Sequence, residues 1–174
     1  IFDSQEYEDP PMRGRQSVNP LNKLGFSIAR EGFGNVLITE LGNKFLKENY
    51  DIDHIFFKSL LKLQFPNPWN IDFSGKEDFN IMPFIGVMHL IHKLNQKTTK
   101  RGLDKTEFSI FIPTLINFNQ IDEYIDRILE FRKYKKPEEY IHKFAKEFYG
   151  IEEVPDKKIN NLFDYGDNIM RYFR

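Results

Sequence analysis

Arg13, Arg15, Gln16 and Asn19 crowd four side chains suited to reading nucleic acid into one short stretch near the N-terminus. Arginine donates to guanine edges and phosphate oxygens, while Asn and Gln match adenine, so this residue set fits base and phosphate contacts. Lys23 and Arg30 follow seven positions apart, a spacing that puts both on one face of a continuous helix. Between Met12 and Arg30 the only charges are basic. A second such run, Lys93 to Arg101, carries Lys93, Lys97, Lys100 and Arg101 with Thr and Asn donors between them and no acid. It fits a loop that tracks phosphates. The alternative is a solvated helix end, where cations also complement the helix dipole.

Other constellations are weaker. His89 and His92 stand three apart and could offer two metal ligands, but no third ligand is close in sequence, and packing or surface roles fit them better. Pro155-Asp156-Lys157-Lys158 resembles half of the PD…(D/E)xK pattern that holds a divalent ion in nucleases; both halves would have to share Asp156. Gly-rich phosphate loops, nucleophile elbows and Ser-His-Asp spacings are absent. No catalytic residue and no metal ligand is therefore assigned.

The chain has 174 residues, 40% of them hydrophobic, with 18 Phe, which is enough to bury a real core. With no Cys, disulfides and Cys-based zinc sites are excluded. No apolar run reaches the roughly 18 residues that span a bilayer, and no signal peptide is present. The net charge of -1 argues weakly against a nucleic-acid partner, yet the charge is polarised. Acids gather in Asp3–Asp9, Asp122–Asp126 and Glu147–Asp156, away from the basic runs. The chain begins without Met and ends inside a helical pattern, as a piece of a longer protein would.

The elements that must position these residues read as mainly α with small β elements. Residues 1–16 are expected to form an extended arm carrying Pro10-Pro11. A helix from about Pro20 to Glu31 follows, stopped by Gly32 and Gly34. Val36-Leu37-Ile38 is β-prone, Asn35 would sit at the tip of a wing, and Thr39 caps a helix over Glu40–Lys47. Asp53 caps an apolar helix with Ile55, Phe56, Leu60 and Leu63 on one stripe and Phe57 beside it, ended by Pro66-Asn67-Pro68-Trp69. Residues 71–80 read as a connecting loop. Beyond it, a helix from Pro83 buries Phe84, Val87, Met88, Ile91 and Leu94. Asp104 and Glu107 form a capping box for a helix to Leu115, and Asn119 caps the next. Pro137 opens another helix with Ile141, Phe144, Ala145 and Phe148 inward, and the last stripe runs from Ile159 to Phe173. These elements give two helical, winged-helix-like subdomains, over residues 17–70 and 81–174.

Six segments stand out in order: Asn19-Pro-Leu-Asn-Lys-Leu-Gly-Phe26, Leu37-Ile-Thr-Glu-Leu-Gly-Asn-Lys-Phe45, Phe56-Phe-Lys-Ser-Leu-Leu-Lys-Leu-Gln-Phe-Pro-Asn-Pro68, Met82-Pro-Phe-Ile85, Phe108-Ser-Ile-Phe-Ile-Pro-Thr-Leu115 and Asp164-Tyr-Gly-Asp-Asn-Ile-Met-Arg-Tyr-Phe173. Together they resemble the AlwI family of type IIS restriction endonucleases and its nicking relatives. The resemblance implies a bacterial cytoplasmic enzyme with an N-terminal recognition region for double-stranded DNA with an asymmetric site. It also implies a C-terminal PD-(D/E)xK nuclease domain, outside this chain, that uses magnesium. No DNA-contact residue is carried over from the family. Arg13, Arg15, Gln16, Asn19, Lys23, Arg30, Asn35, Lys97, Lys100 and Arg101 are the contacts that chemistry and position suggest. A winged-helix regulator acting as a dimer, or a helical protein-interaction domain with a groove near Phe57, are the alternatives.

Overall fold

The computed structural model describes residues 10–29, 34–47, 51–66 and 79–173, with side chains from Gln16 onward. It is mainly helical and divides into two compact units, Ile1–Asp78 and Phe79–Arg174.

In the first unit α1 spans Pro10–Lys23, followed by β1 (Ser27–Ile28), β2 (Leu37–Ile38), α2 (Glu40–Leu46) and α3 (Ile52–Lys62). The helix expected over Pro20–Glu31 is therefore displaced by a full ten residues at its start, and the arm expected over residues 1–16 is helical from Pro10. Two signals were misread. Pro10-Pro11 opens the helix, where a missing N–H costs nothing, while Pro20 is tolerated inside it. Gly25, at φ 81°, reverses the chain directly after Lys23, well before Gly32 and Gly34. Leu24 N–H donates to Pro20 O, and Phe26 N–H to Leu21 O, closing the turn.

β1 and β2 pair antiparallel, Ser27 opposite Ile38 and Ile28 opposite Leu37. Asn22 anchors the first strand: its Oδ1 accepts from Ser27 Oγ (2.8 Å) and Ala29 N (3.0 Å), and its Nδ2 donates to Ala29 O (2.8 Å). Thr39 caps α2 by accepting from Gly42 N at 3.0 Å, as its position implied. Asp51, rather than Asp53, caps α3. The core of this unit gathers around Phe26, which lies 5.0 Å from the Phe45 ring and stacks on Phe56 at 6.4 Å. Ile55 and Leu60 are buried with it, whereas Phe57 stands 49% exposed on the other side of α3. Trp69 lies outside the described residues.

A Cβ at Gly42 would meet Phe26 O at 2.1 Å and Ile38 Cγ2 at 2.8 Å. The first contact is with backbone that is itself hydrogen-bonded to Thr39 N, so it cannot give way locally. Gly42→Ala is expected to destabilise this unit by about 1–3 kcal/mol, although Ala is ordinarily the better helix former. Urea denaturation checks it: an unchanged or raised midpoint would contradict the close approach.

The second unit holds α4 (Pro83–Lys97), α5 (Lys105–Phe111), α6 (Ile121–Phe131), α7 (Pro137–Tyr149) and α8 (Asp156–Met170), with short 3-10 turns at Phe118–Gln120 and Arg171–Phe173. Its described residues contribute no strand to a sheet. A parallel bridge joins Asn80 to Asn117, so Asn80 belongs to this unit rather than to a connecting loop; residues 71–78 lie outside the described residues. Phe111 is the hub of the core, with T-shaped contacts to Phe144 at 5.1 Å and Phe131 at 5.8 Å. Burying such a side chain completely is worth about 1.5–3 kcal/mol. Leu90, Leu94, Ile110, Ile125 and Ile128 are likewise closed off from water.

Several local expectations change here. α4 buries Gly86, Val87, Leu90 and Leu94, while Met88 is 52% exposed. α5 stops at Phe111 instead of Leu115, ahead of Pro113, whose missing N–H cannot continue the ladder. Asn117, rather than Asn119, provides the cap before α6. α7 runs from Pro137 to a left-handed Gly150, as its sequence indicated, but Phe148 is 39% exposed.

Candidate nucleic-acid interface

Of the residues expected to read nucleic acid, Arg13, Arg15, Gln16 and Asn19 fall on α1 rather than ahead of it. Gln16, Asn19 and Lys23 stand at i, i+3 and i+7, which is one helical face. Gln16 is exposed, and Asn19 and Lys23 are half-buried. Arg13 and Arg15 have their backbone in α1, and their side chains lie outside the described residues. α1 ends at Lys23, and Arg30, expected on the same face, lies outside the described residues. Asn35 is exposed in the segment joining β1 to β2. Asn22, which holds the start of that segment through Ala29, was not singled out in the sequence, where it reads as one more polar residue of a helix end.

In the second unit the basic run leaves α4 and enters a loop, and its charges are opposed in space though not in sequence. Lys93 pairs with Asp122, and Lys97 with Asp126 at 3.2 Å, both acids projecting from α6. Lys100 Nζ reaches Asp104 at 2.9 Å and Glu107 at 3.1 Å. These hydrogen bonds, to Asp104 first and then Glu107, raise the Lys100 pKa. Apart from the one to Glu107, the pairs are between water-exposed partners and contribute only about 0–1 kcal/mol each. A phosphate can therefore compete for these lysines. Arg101 is exposed, and no ion pair involves it among the described residues.

A buried pair fixes the loop beneath these side chains. The Glu107 side chain is 1% exposed and that of Arg132 9%. Arg132 Nε donates to Glu107 Oε1 at 2.8 Å and Nη2 to Oε2 at 2.9 Å, a two-pronged guanidinium–carboxylate contact. The same guanidinium donates to Lys100 O at 2.7 Å and Gly102 O at 2.6 Å, so it holds the loop by its backbone. Asn95 Oδ1 takes the Gly102 N–H at 2.7 Å, and Gly102 turns the chain at φ 72°. Glu107 also completes the capping box with Asp104, accepting from Asp104 N at 3.0 Å. Burial works against ionising Glu107, but the bonds from Arg132, Asp104 and Lys100 outweigh it and lower its pKa below 4.5. The capping box was legible in the sequence. Arg132 was not, because it is remote in sequence from the loop it holds.

The described residues contain no group of three His, Cys, Asp or Glu side chains that could hold a metal ion. His89 stacks its ring against Phe118 at 5.4 Å, and His92 lies 3.1 Å from the Gln96 amide nitrogen. Asp156 and Lys157 are exposed at the start of α8. No described helix is long and apolar enough to cross a membrane.

A family model described as AlwI restriction endonuclease matches residues 22–174, which takes in α2 to α8 and the pinned basic loop. No curated protein matches the chain. With most of its length so matched, the chain belongs to the AlwI restriction endonuclease family.

Proposed function

We propose that this chain is the sequence-recognition portion of a type IIS restriction or nicking endonuclease. It binds double-stranded DNA at an asymmetric site, in the bacterial cytoplasm. Strand cleavage then belongs to a C-terminal nuclease domain of the same protein, where magnesium would be held. The observation that carries DNA binding is the loop of Lys100 and Arg101, whose backbone a buried guanidinium fixes while its cations stay exposed. A loop fixed before binding loses little entropy when it meets phosphate. In the first unit, α1 and the hairpin would act as a winged-helix-like module with Asn35 in its wing. Arg13, Arg15, Gln16 and Asn19 would contact bases and phosphates, and Lys23, Arg30 and Lys97 phosphates.

Fluorescence anisotropy of a labelled duplex, titrated over a range of salt, tests this. Affinity should fall linearly on a log–log plot, with a slope near -0.9 per phosphate neutralised. Arg101→Ala should weaken all sequences alike and reduce the slope by about one unit. Arg13→Ala or Arg15→Ala should cost about 1–3 kcal/mol on the preferred site where the side chain reads a guanine. Salt-independent binding, or an Arg101→Ala titration that overlays the parent, would remove the phosphate role of this loop.

A further inference from the structure

We infer that α4 is a base-reading helix, and that His92 and Gln96 on its solvent face determine part of the DNA sequence preference. This rests on the DNA-recognition function proposed above and assigns base reading to two residues outside the set of expected DNA contacts.

α4 is a 15-residue helix without a single acid. Its buried side is closed by Val87, Leu90 and Leu94, so its opposite side is fixed facing solvent. That side presents Met88, His89, His92 and Gln96, all exposed. A hydrogen-bonding patch without an acid of its own helix is an unusual outer surface for a packing helix, since exposed helix faces ordinarily mix Glu with Lys. It is the chemistry that major-groove edges require, because amide and imidazole groups both donate and accept there.

The neighbouring contacts sort these residues into roles. His89 is held against the Phe118 ring, which ties it to the protein. His92 and Gln96 stand one turn apart and meet each other at 3.1 Å, which orients the amide and the ring together, with no hydrogen bond from either side chain to another of the described residues. Lys93 and Lys97 pair with Asp122 and Asp126 on α6 rather than with His92 or Gln96. At the C-terminal end of the same helix the pinned loop projects Lys100 and Arg101. A duplex laid along α4 would thus have its bases at His92 and Gln96 and its backbone at the loop. Gln96 matches the paired donor and acceptor of adenine, and His92 can donate to a guanine or accept from a cytosine or adenine amine.

The test uses the whole chain and the duplex it selects from a random pool. Every single-base variant of that duplex then competes for binding to the parent chain and to H92A, Q96A, Q96E and R101A. His92 and Gln96 are exposed, so matching ellipticity and thermal midpoints are expected for their variants. Q96A should flatten discrimination by about tenfold at one or two adjacent positions while leaving the salt slope unchanged, and Q96E should shift that position toward cytosine. R101A should keep the same preference with weaker binding throughout. If the parent selects a motif and both H92A and Q96A keep it base for base, α4 does not read bases, and only this inference falls. If the parent selects no motif, DNA recognition by the chain falls, and this inference with it.

Discussion

Arg132→Ala is expected to cost the second unit about 3–5 kcal/mol, a large share of the roughly 5–15 kcal/mol that stabilises a typical domain. Removing the guanidinium strands the Glu107 carboxylate, 1% exposed, with only Lys100 and the Asp104 N–H to meet it. It also frees the carbonyls of Lys100 and Gly102. The loss is one of an orphaned charge rather than of a favourable pair. Replacing both partners with apolar residues, as in Arg132→Met with Glu107→Leu, should therefore recover much of it. Urea unfolding followed by ellipticity measures both, and a loss below about 1 kcal/mol for Arg132→Ala would mean that water reaches the pair. Acid should separate the parent from Glu107→Gln. The Glu107 pKa is lowered on folding, so its contribution is fully present above the ordinary 4.5 and is lost as the pH falls through the folded value. The glutamine variant should be less stable near neutral pH and lose less on acidification.

Gly166→Ala should also be damaging, to a lesser degree and for a steric reason. The new Cβ would lie 2.3 Å from Ser109 Cα and 2.7 Å from Ser109 Cβ and Oγ, where α8 crosses α5. The two helices would have to separate, disturbing Phe108 and Ile110 on one side and Leu162 on the other, all of them buried. About 1–3 kcal/mol of destabilisation is expected, against the gain of about 1 kcal/mol that Ala brings to an exposed helix position. Ser109→Gly should not rescue it, because the closest clash is with Cα. A thermal midpoint that rises in Gly166→Ala would show that the helices are further apart than this.

Punctuation by local chemistry was legible in the sequence where one residue type decides the outcome. Thr39, the Asp104–Glu107 box, Pro83, Pro137 and Gly150 each begin or end a helix where their side chains or backbone freedom require. Misreadings arose where two residues of the same type competed. Pro10 and Pro20 could both open a helix, Gly25 and Gly32 could both end one, and Asn117 and Asn119 could both cap one. The candidate interface was legible as residue types but not as geometry. Lys93, Lys97 and Lys100 have no acid beside them in sequence, yet Asp122, Asp126 and Glu107 meet them across helix packing. Periodicity placed Met88 inward by counting from Phe84, while the buried side of α4 runs through Leu90 instead. That shift of the helix face is what turns His92 and Gln96 outward.

Selection of randomised duplex DNA on the purified chain, at near-physiological salt and followed by sequencing, tests sequence-specific recognition most directly. An asymmetric motif of a few base pairs is the expected result. A palindrome would point to a symmetric dimeric regulator, and a chain that neither enriches nor retains DNA would contradict DNA recognition by these residues.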